Sequence, residues 1–363
     1  MKPRILFVDD ERNVLDGLRR MLRSHRREWD MQFAEGGEQA LAMADETAFD
    51  VVVSDMRMPG IDGAQVLCGF AERQPASVRI VLSGQADREA VYRTVGPSHQ
   101  FLAKPCDADL LTSAVGAVLQ TRSGVSDAVA ASLPGLPCLP SPQSVIDKLR
   151  YTLSQDAPSL DQLAEIVADD LSLSAKILQL SNSAYFGIDN VMFVPGQAVR
   201  MLGVDVMRDL LELPGFCRPL DETAPWADAF LGCWRRACRA AAIAECIAGE
   251  MDLSDGQKLL ARQACKFTEL GHAAMLASDG SADGAVAPVS MFMASLWGFP
   301  TELVELLADG IGADDGEHLS ILIDTVRALV IDPEDASEPG LAAETAPLIE
   351  SVRSTLRQKE VRL

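Results

Sequence analysis

Residues 51–60 read VVVSDMRMPG, three consecutive valines followed two positions later by an aspartate. A short valine-rich run of this kind is typical of a strand that is buried on both faces of a parallel sheet. Similar runs occur at residues 5–8 (ILFV), 80–82 (IVL) and 101–103 (FLA), with a weaker one at 31–34. Helix-like stretches alternate with these runs, at residues 13–24, 38–45 and 107–120. The alternation predicts an α/β doubly wound domain with a five-stranded parallel sheet over residues 1–121.

Polar side chains follow the ends of four of these predicted strands. Asp9 and Asp10 come after the first strand, Asp55 after the third, and Ser83 and Lys104 after the last two. Functional groups collect beyond the carboxyl ends of parallel strands, so we expect these side chains to meet. Three carboxylates brought together repel one another and favour a hard cation such as Mg²⁺. Aspartates after strands can also be solvated helix N-caps, so the spacing by itself leaves both interpretations open.

The second part of the chain has a different pattern. Residues 122–135 are rich in Ser and Ala and lead into a proline-rich stretch, which predicts a linker. Apolar residues recur at helical spacing from 136 to 330, so an all-α second domain is expected there. Residues 331–363 are expected to form a helical or partly disordered extension. The predicted helices cover residues 145–153, 160–168, 174–182, 198–213, 227–248, 256–276, 290–296, 301–307 and 319–330.

The charge of the chain is unevenly distributed. Residues 1–122 contain 15 Lys and Arg against 18 Asp and Glu, which leaves 17 against 35 for the remainder of a chain whose net charge is −21. An acidic second domain repels a phosphate backbone, which counts against nucleic-acid binding. No apolar run reaches the roughly 20 residues that span a bilayer, and the first residues do not resemble a signal peptide. We therefore expect a cytoplasmic protein without a membrane contact.

Four motifs in the first domain carry a resemblance to a known family. They are FVDDE at residues 7–11, SDMRMPGIDG at 54–63, LSG at 82–84 and KP at 104–105. In this order they resemble the receiver (CheY-like) domain of two-component response regulators. The resemblance implies that Asp55 is the phosphoacceptor and that a sensor histidine kinase is a partner. It further implies a Mg²⁺ site made by Asp9, Asp10, Asp55 and the backbone carbonyl of Arg57, phosphoryl sensing by Ser83 and Lys104, a switch aromatic at Phe101 and a cis peptide bond between Lys104 and Pro105.

Five motifs in the second domain carry another resemblance. They are LPCLP at 136–140, SLDQLAEIVADD at 159–170, LQLSNSAYFG at 178–187, QAVRMLG at 197–203 and WGFP at 297–300. This set resembles the HDOD family, an all-helical output domain related in fold to the HD metal phosphohydrolases. The resemblance covers residues 136–330 and is strongest before residue 213.

The metal-binding residues of HD hydrolases are not found in this chain. Thr268 and Glu269 stand where the His-Asp pair of those enzymes would fall, and Arg235 or Arg236 replaces the upstream histidine. The chain has four histidines, so a multi-histidine metal centre cannot be assembled. Glu269 and His272, three residues apart, could form a weak metal pair or an ordinary helix contact. We expect a degenerate site without catalysis.

The leading hypothesis is a response regulator whose phosphorylation repositions or dimerises a non-catalytic helical domain. The expected partners are a histidine kinase and a downstream signalling protein, for which family analogy suggests a cyclic-dinucleotide enzyme. A homodimer is compatible with this hypothesis. The alternative is a metal-dependent phosphodiesterase or nucleotidase with an altered HD site.

Overall fold

The computed structural model of the 363-residue chain describes residues 2–84, 92–183, 191–251, 253–280 and 284–308, together with Leu322, Ile323 and Val326. The helix expected at 319–330 lies outside the described residues except at those last three positions. The extension expected at 331–363 lies outside them altogether. No helix among the described residues is long and apolar enough to cross a bilayer.

The first domain contains the predicted five-stranded parallel sheet. Its strands follow the order β2-β1-β3-β4-β5, so after β2 the chain passes β1 and continues with β3 on the other side of β1. Val53 on β3 lies beside Phe7 on one neighbouring strand and Ile80 on the other. All five residues of β3 are buried, as the valine run predicted. The strands are β1 Arg4–Asp9, β2 Asp30–Glu35, β3 Val51–Asp55, β4 Val78–Ser83 and β5 Gln100–Ala103.

Among the described residues four helices flank this sheet, and three of them lie where the apolar periodicity predicted helices. The helix at Gly63–Arg73 was not predicted. The first ends at Met21 rather than at residue 24 and is followed by a 3₁₀ turn at Arg23–Arg27. The third begins with a capping box. The side chain of Asp62 accepts from the backbone N–H of Gln65, and the side chain of Gln65 accepts from the backbone N–H of Asp62. The helices are α1 Arg12–Met21, α2 Gly37–Glu46, α3 Gly63–Arg73 and α4 Ala108–Arg122.

The segment predicted as a linker, residues 122–135, contains regular secondary structure. After α4 the chain forms helix α5 (Asp127–Ser132) and a 3₁₀ turn at Leu133–Gly135. Ser126 caps α5 by accepting from the backbone of Val129, and Leu133 is completely buried. The linker prediction used the Ser and Ala content, whereas the buried leucine and the cap determine the observed structure.

Two buried side chains of the first domain contact this segment, the connector (residues 123–135). Arg79 Nη2 and His99 Nε2 lie 2.7 and 2.9 Å from the carbonyl oxygen of Pro134. Burial keeps the pKa of His99 well below its usual range, so the ring is neutral. His99 Nδ1 accepts from the backbone N–H of Arg79, which leaves the proton on Nε2 to be donated to Pro134. The connector is therefore tied to the first domain by these two side chains, and it also packs against Leu270–Asp279 of the second domain.

In its described residues the second domain is helical, as predicted, apart from a two-residue strand pair, β6 (Pro140–Ser141) with β7 (Arg218–Pro219). Most helix positions agree with the prediction within a few residues. In chain order the helices are α6 Gln143–Leu153, α7 Leu160–Ala168, α8 Leu171–Ser181, α9 Pro195–Leu211, α10 Ala227–Glu250, α11 Asp255–Phe267, α12 Leu270–Asp279, α13 Val286–Leu296 and α14 Thr301–Glu305.

The single helix predicted at 256–276 is two helices, α11 and α12. Ser290 on α13 explains the break, because its hydroxyl accepts from Gly271 N at 2.8 Å and donates to Thr268 O at 3.1 Å. These bonds satisfy backbone groups at the interruption. A Cβ at position 271 would lie 2.5 Å from Ser290 N and from Val286 O, so only glycine permits this approach of α12 to α13.

Candidate functional site

The carboxyl edge of the sheet brings together two buried aspartates and a lysine. Asp9 ends β1 and Asp55 ends β3, and they are 2% and 7% exposed. Lys104, just after β5, places Nζ 2.8 Å from Asp9 Oδ2 and 2.6 Å from Asp55 Oδ1. The two carboxylates thus face one point in space. The structure places these three residues as the strand-end pattern predicted.

Backbone amides hold the other carboxylate oxygens. Arg57 N donates to Asp55 Oδ2 at 2.9 Å, and Glu11 N donates to Asp9 Oδ1 at 2.9 Å. Asp55 therefore has a partner on each oxygen, which fixes its orientation. Asp10, which follows Asp9 in the chain, is exposed.

Burial and the lysine act in opposite directions on Asp55. Burial, the larger influence, raises the pKa of Asp55 above its ordinary value, and Lys104 only partly offsets it. Burial alone would lower the pKa of Lys104, but its hydrogen bonds to Asp55 and Asp9 outweigh burial and raise it. Lys104 therefore remains cationic beside the two carboxylates.

Ser83 and Phe101 lie on adjacent strands next to this pocket. Ser83 ends β4, is 4% exposed, and donates its hydroxyl proton to Gly84 O at 3.0 Å. Its carbonyl accepts from Lys104 N at 2.8 Å, so the two predicted phosphoryl-sensing residues are joined through the backbone. Phe101 is buried within β5, and the Lys104-Pro105 bond is cis.

Gly63 allows the segment after Asp55 to fold back onto the strand. A Cβ at this position would lie 2.1 Å from Asp55 O and 2.8 Å from Met56 Cα. Gly63 N also donates to Met56 O at 3.0 Å. Gly63, the second glycine of the SDMRMPGIDG motif, is therefore required for close approach of the start of α3 to Asp55.

A second polar cluster occupies the helical domain where the HD site was expected. Ligand atoms of Cys233, Glu269 and His272 lie within 4.8 Å of one another. The guanidinium of Arg236 is placed among them, with Nε and Nη2 each 2.8 Å from one oxygen of Glu269. Its Nη2 also lies 3.2 Å from Cys233 Sγ and 3.1 Å from His272 Nδ1. The atoms that could bind a metal are already in contact with a cation.

This cluster resolves the choice between the two arginines. Arg236 enters it, whereas Arg235 is exposed. Thr268 stays outside, because its hydroxyl donates to Cys265 O at 2.8 Å. Burial alone would raise the pKa of Glu269, but hydrogen bonds with His272 and Arg236 outweigh burial and lower it. Glu269 is thus an ionised partner of Arg236.

The contacts that join the two domains had no signal in the sequence pattern. Lys176 on α8 is 1% exposed, and its Nζ donates to Val95 O at 2.7 Å and to Pro137 O at 2.9 Å. Burial lowers the pKa of Lys176 to about 8. A lysine within a helical run is usually exposed, so only the docking of the first domain accounts for its burial.

Two glutamines extend this interface to β5. Gln179 Nε2 donates to His99 O at 2.9 Å, and Gln100 Nε2 donates to Ser295 O at 2.6 Å. Gln100 is the first residue of β5, and Lys104 follows the last. A four-residue strand therefore connects the acidic pocket to the helical domain.

Comparisons with known proteins agree with both domains. Residues 5–116 match the response regulator receiver domain and residues 139–277 match the HDOD domain. The chain is 33% identical over 119 residues to Protein PilH of Pseudomonas aeruginosa, covering 32% of this chain and 97% of PilH. This chain belongs to the response regulator receiver family. Its particular combination is a receiver followed by an HDOD domain.

Other relatives match 24% to 34% of this chain. The hydrogenase transcriptional regulatory protein HoxA of Cupriavidus necator is 32% identical over 120 residues, 32% of this chain. The chain spans 24%, 36% and 28% of the length of HoxA and two further receiver relatives. A solved receiver domain of an HD domain-containing protein from Pseudomonas fluorescens is 27% identical and covers 34% of this chain and 99% of its own, with a TM-score of 0.32.

Proposed function

We propose that Asp55 accepts a phosphoryl group and that this modification controls a non-catalytic HDOD domain acting through protein contacts. The contact of Lys104 with both Asp9 and Asp55 carries the proposal. A carboxylate oxygen of Asp55 attacks the phosphorus of a phosphohistidine, the P–N bond breaks, and an O–P bond forms. Lys104 stabilises the added negative charge, and the Ser83 hydroxyl turns from Gly84 O to the phosphoryl oxygens.

The donor set around Asp55 fits Mg²⁺. The ion prefers carboxylate oxygens and water, and two buried carboxylates face the same point beside an exposed third. Asp9, Asp10, Asp55 and the backbone carbonyl of Arg57 would hold it. When bound, Mg²⁺ neutralises charge on the transferred phosphoryl group.

The β5 strand supports the proposed control of the helical domain. A shift of Lys104 and Phe101 toward a phosphorylated Asp55 would move the strand whose first residue is bonded to Ser295. Unpaired acceptors at this interface, Gln179 Oε1 and Ser295 Oγ, make the docked arrangement less stable than a fully satisfied one. Release of the receiver would expose them to water. The proposed donor of the phosphoryl group is a histidine kinase. The signal is proposed to pass to a second signalling protein, with cyclic-dinucleotide enzymes as the candidate class, or to a second copy of this chain.

Phosphorylation is expected to loosen this interface. With acetyl phosphate and Mg²⁺, amides of residues 95–100 and 172–181 should exchange hydrogen for deuterium faster in the wild-type chain, because the bonds from Lys176 and Gln179 are lost. The oligomeric state or the captured partners should change in the same sample. Asp55→Ala treated alike is the control and should show neither change. Equal exchange in wild type and control would contradict the proposed control.

Arg236 is expected to stabilise the helical domain rather than serve catalysis. Arg236→Ala leaves Glu269, with 16% side-chain exposure, without its bidentate partner and should lower the free energy of unfolding by about 2 kcal/mol. Arg235→Ala removes the same charge from an exposed neighbour and should change it by less than about 0.5 kcal/mol. Denaturant titrations measure both. Stoichiometric Mn²⁺ or Zn²⁺ in an Asp55→Ala chain, together with phosphodiesterase turnover lost on Glu269→Gln, would instead establish the metal-dependent enzyme.

A further inference from the structure

A cavity of about 590 Å³ lies in the helical domain, separate from both polar clusters described above. Residues of α6 and α7 form one wall, and residues of α10 and α11 form the other. Its volume is within the usual range of small-molecule sites, about 300–1,000 Å³.

Four cationic side chains line this cavity, Lys148, Arg235, Arg262 and Lys266. They are four of the 17 Lys and Arg in residues 123–363, a part of the chain that contains 35 Asp and Glu. Within the described part of the chain, Lys148, Arg235 and Lys266 have no carboxylate within 4.0 Å. Three carboxylates share the lining with these four cations, so the cavity carries a formal charge of +1 within an acidic domain, and a positive site attracts anions.

The two innermost cations are held by the protein. Lys266 is 1% exposed, and its Nζ contacts Ala168 O and lies 3.3 Å from Ser174 Oγ. Burial lowers its pKa to about 8, so it is still largely protonated near pH 7. Arg262 Nη1 lies 3.4 Å from Glu245 Oε2, while its buried Nε has no partner. Lys266 is a buried positive charge beside the cavity, and the Nε–H of Arg262 is a hydrogen-bond donor without a partner among the described residues.

An aromatic ring is fixed on the same wall. Trp234 lines the cavity, and its Nε1 donates to Asp170 Oδ2 at 2.8 Å. Asp170 is fully buried and also accepts from Ser141 Oγ and Leu173 N, so the indole is held in one orientation. A fixed indole offers a flat apolar surface on which a planar ring can stack.

Carboxylates of Glu165, Asp169 and Glu245 share the lining. They repel an anion that offers them no compensating hydrogen bond. They favour a molecule that combines an anionic group with hydroxyl or amino donors. A nucleoside monophosphate has this combination, a planar ring for Trp234, one phosphate for the cations, and ribose hydroxyls for the carboxylates.

We infer that this cavity of the HDOD domain binds a nucleoside monophosphate, independently of phosphorylation at Asp55. The phosphate contacts Arg235 and Lys148 at the open rim, since both are exposed. Binding should weaken with salt, because rim charges are screened.

Equilibrium titration of the full-length Asp55→Ala chain with GMP and AMP, in EDTA, tests this inference without a competent receiver. Measurable binding is expected, and Arg235→Ala should weaken it about tenfold. Arg239→Ala, which removes the same charge one turn along α10 outside the cavity lining, should leave it unchanged.

Guanosine and inorganic phosphate are the comparison ligands, and both should bind more weakly than GMP. Guanosine binding as tightly as GMP would overturn the role of the cations, and inorganic phosphate binding as tightly would overturn the role of Trp234. No binding of either nucleotide at millimolar concentration, or equal weakening by Arg235→Ala and Arg239→Ala, would overturn the site itself.

Discussion

Replacing Asp55 with asparagine is expected to abolish phosphorylation of the chain by acetyl phosphate and Mg²⁺. The substitution keeps the size of the side chain, but an amide oxygen is a far weaker nucleophile than a carboxylate. The loss should be at least about a hundredfold in rate, which corresponds to more than about 2.7 kcal/mol in activation free energy. Phosphate-affinity electrophoresis of the intact chain measures it.

Asp50→Asn is the matched control for this substitution. Asp50 lies just before the other end of β3, where its Oδ2 accepts from Arg4 N at 2.8 Å, well away from Lys104. The control variant should be phosphorylated at the wild-type rate. Labelling of Asp55→Asn at that same rate would show that the acceptor is another residue.

Gly63→Ala is expected to destabilise the first domain by about 3 kcal/mol. The new methyl group would meet the backbone of Asp55 and Met56, and neither can move without displacing β3. Phosphorylation at Asp55 should fall as well, since the nucleophile moves with that backbone. Urea unfolding followed by circular dichroism gives the free energy.

Gly17→Ala provides the opposite expectation for the same chemical change. Gly17 is within α1, and nothing lies within 4 Å of a Cβ built there. Alanine should stabilise the helix by about 0.5–1 kcal/mol, because glycine is a poor helix former. If both substitutions changed the free energy of unfolding equally, close approach of the backbone would not be the reason that position 63 requires glycine.

The acidic pocket could be predicted because it follows from topology alone. Once the apolar runs are taken as parallel strands, their carboxyl ends must meet, and Asp9, Asp55 and Lys104 meet with them. Strand spacing also predicted the sheet, since buried parallel strands have continuous apolar runs. These inferences need only local sequence.

Features that depend on distant residues could not be predicted. The break between α11 and α12 depends on the hydroxyl of Ser290, about twenty residues later in the chain. The buried position of Lys176 depends on carbonyls of Val95 and Pro137. The position of Arg236 among Cys233, Glu269 and His272 depends on how α10 packs against α12, although its i,i+3 spacing from Cys233 was a usable signal.

The position of the Pro134 carbonyl affects where the first domain can be cut and fused to another output domain. Arg79 and His99, both buried, donate to it, so a receiver cut after residue 121 would lose the acceptor for both donors. Water would take the place of Pro134 at the cut, so each lost hydrogen bond costs its net contribution, about 0.5–1.5 kcal/mol. A receiver that extends to residue 136 keeps both hydrogen bonds, while its connector loses its packing against α12 of the second domain. A gene fusion made at the edge of the sheet domain would join a weakened receiver to its new output, whereas one made after the connector would keep the two hydrogen bonds to Pro134.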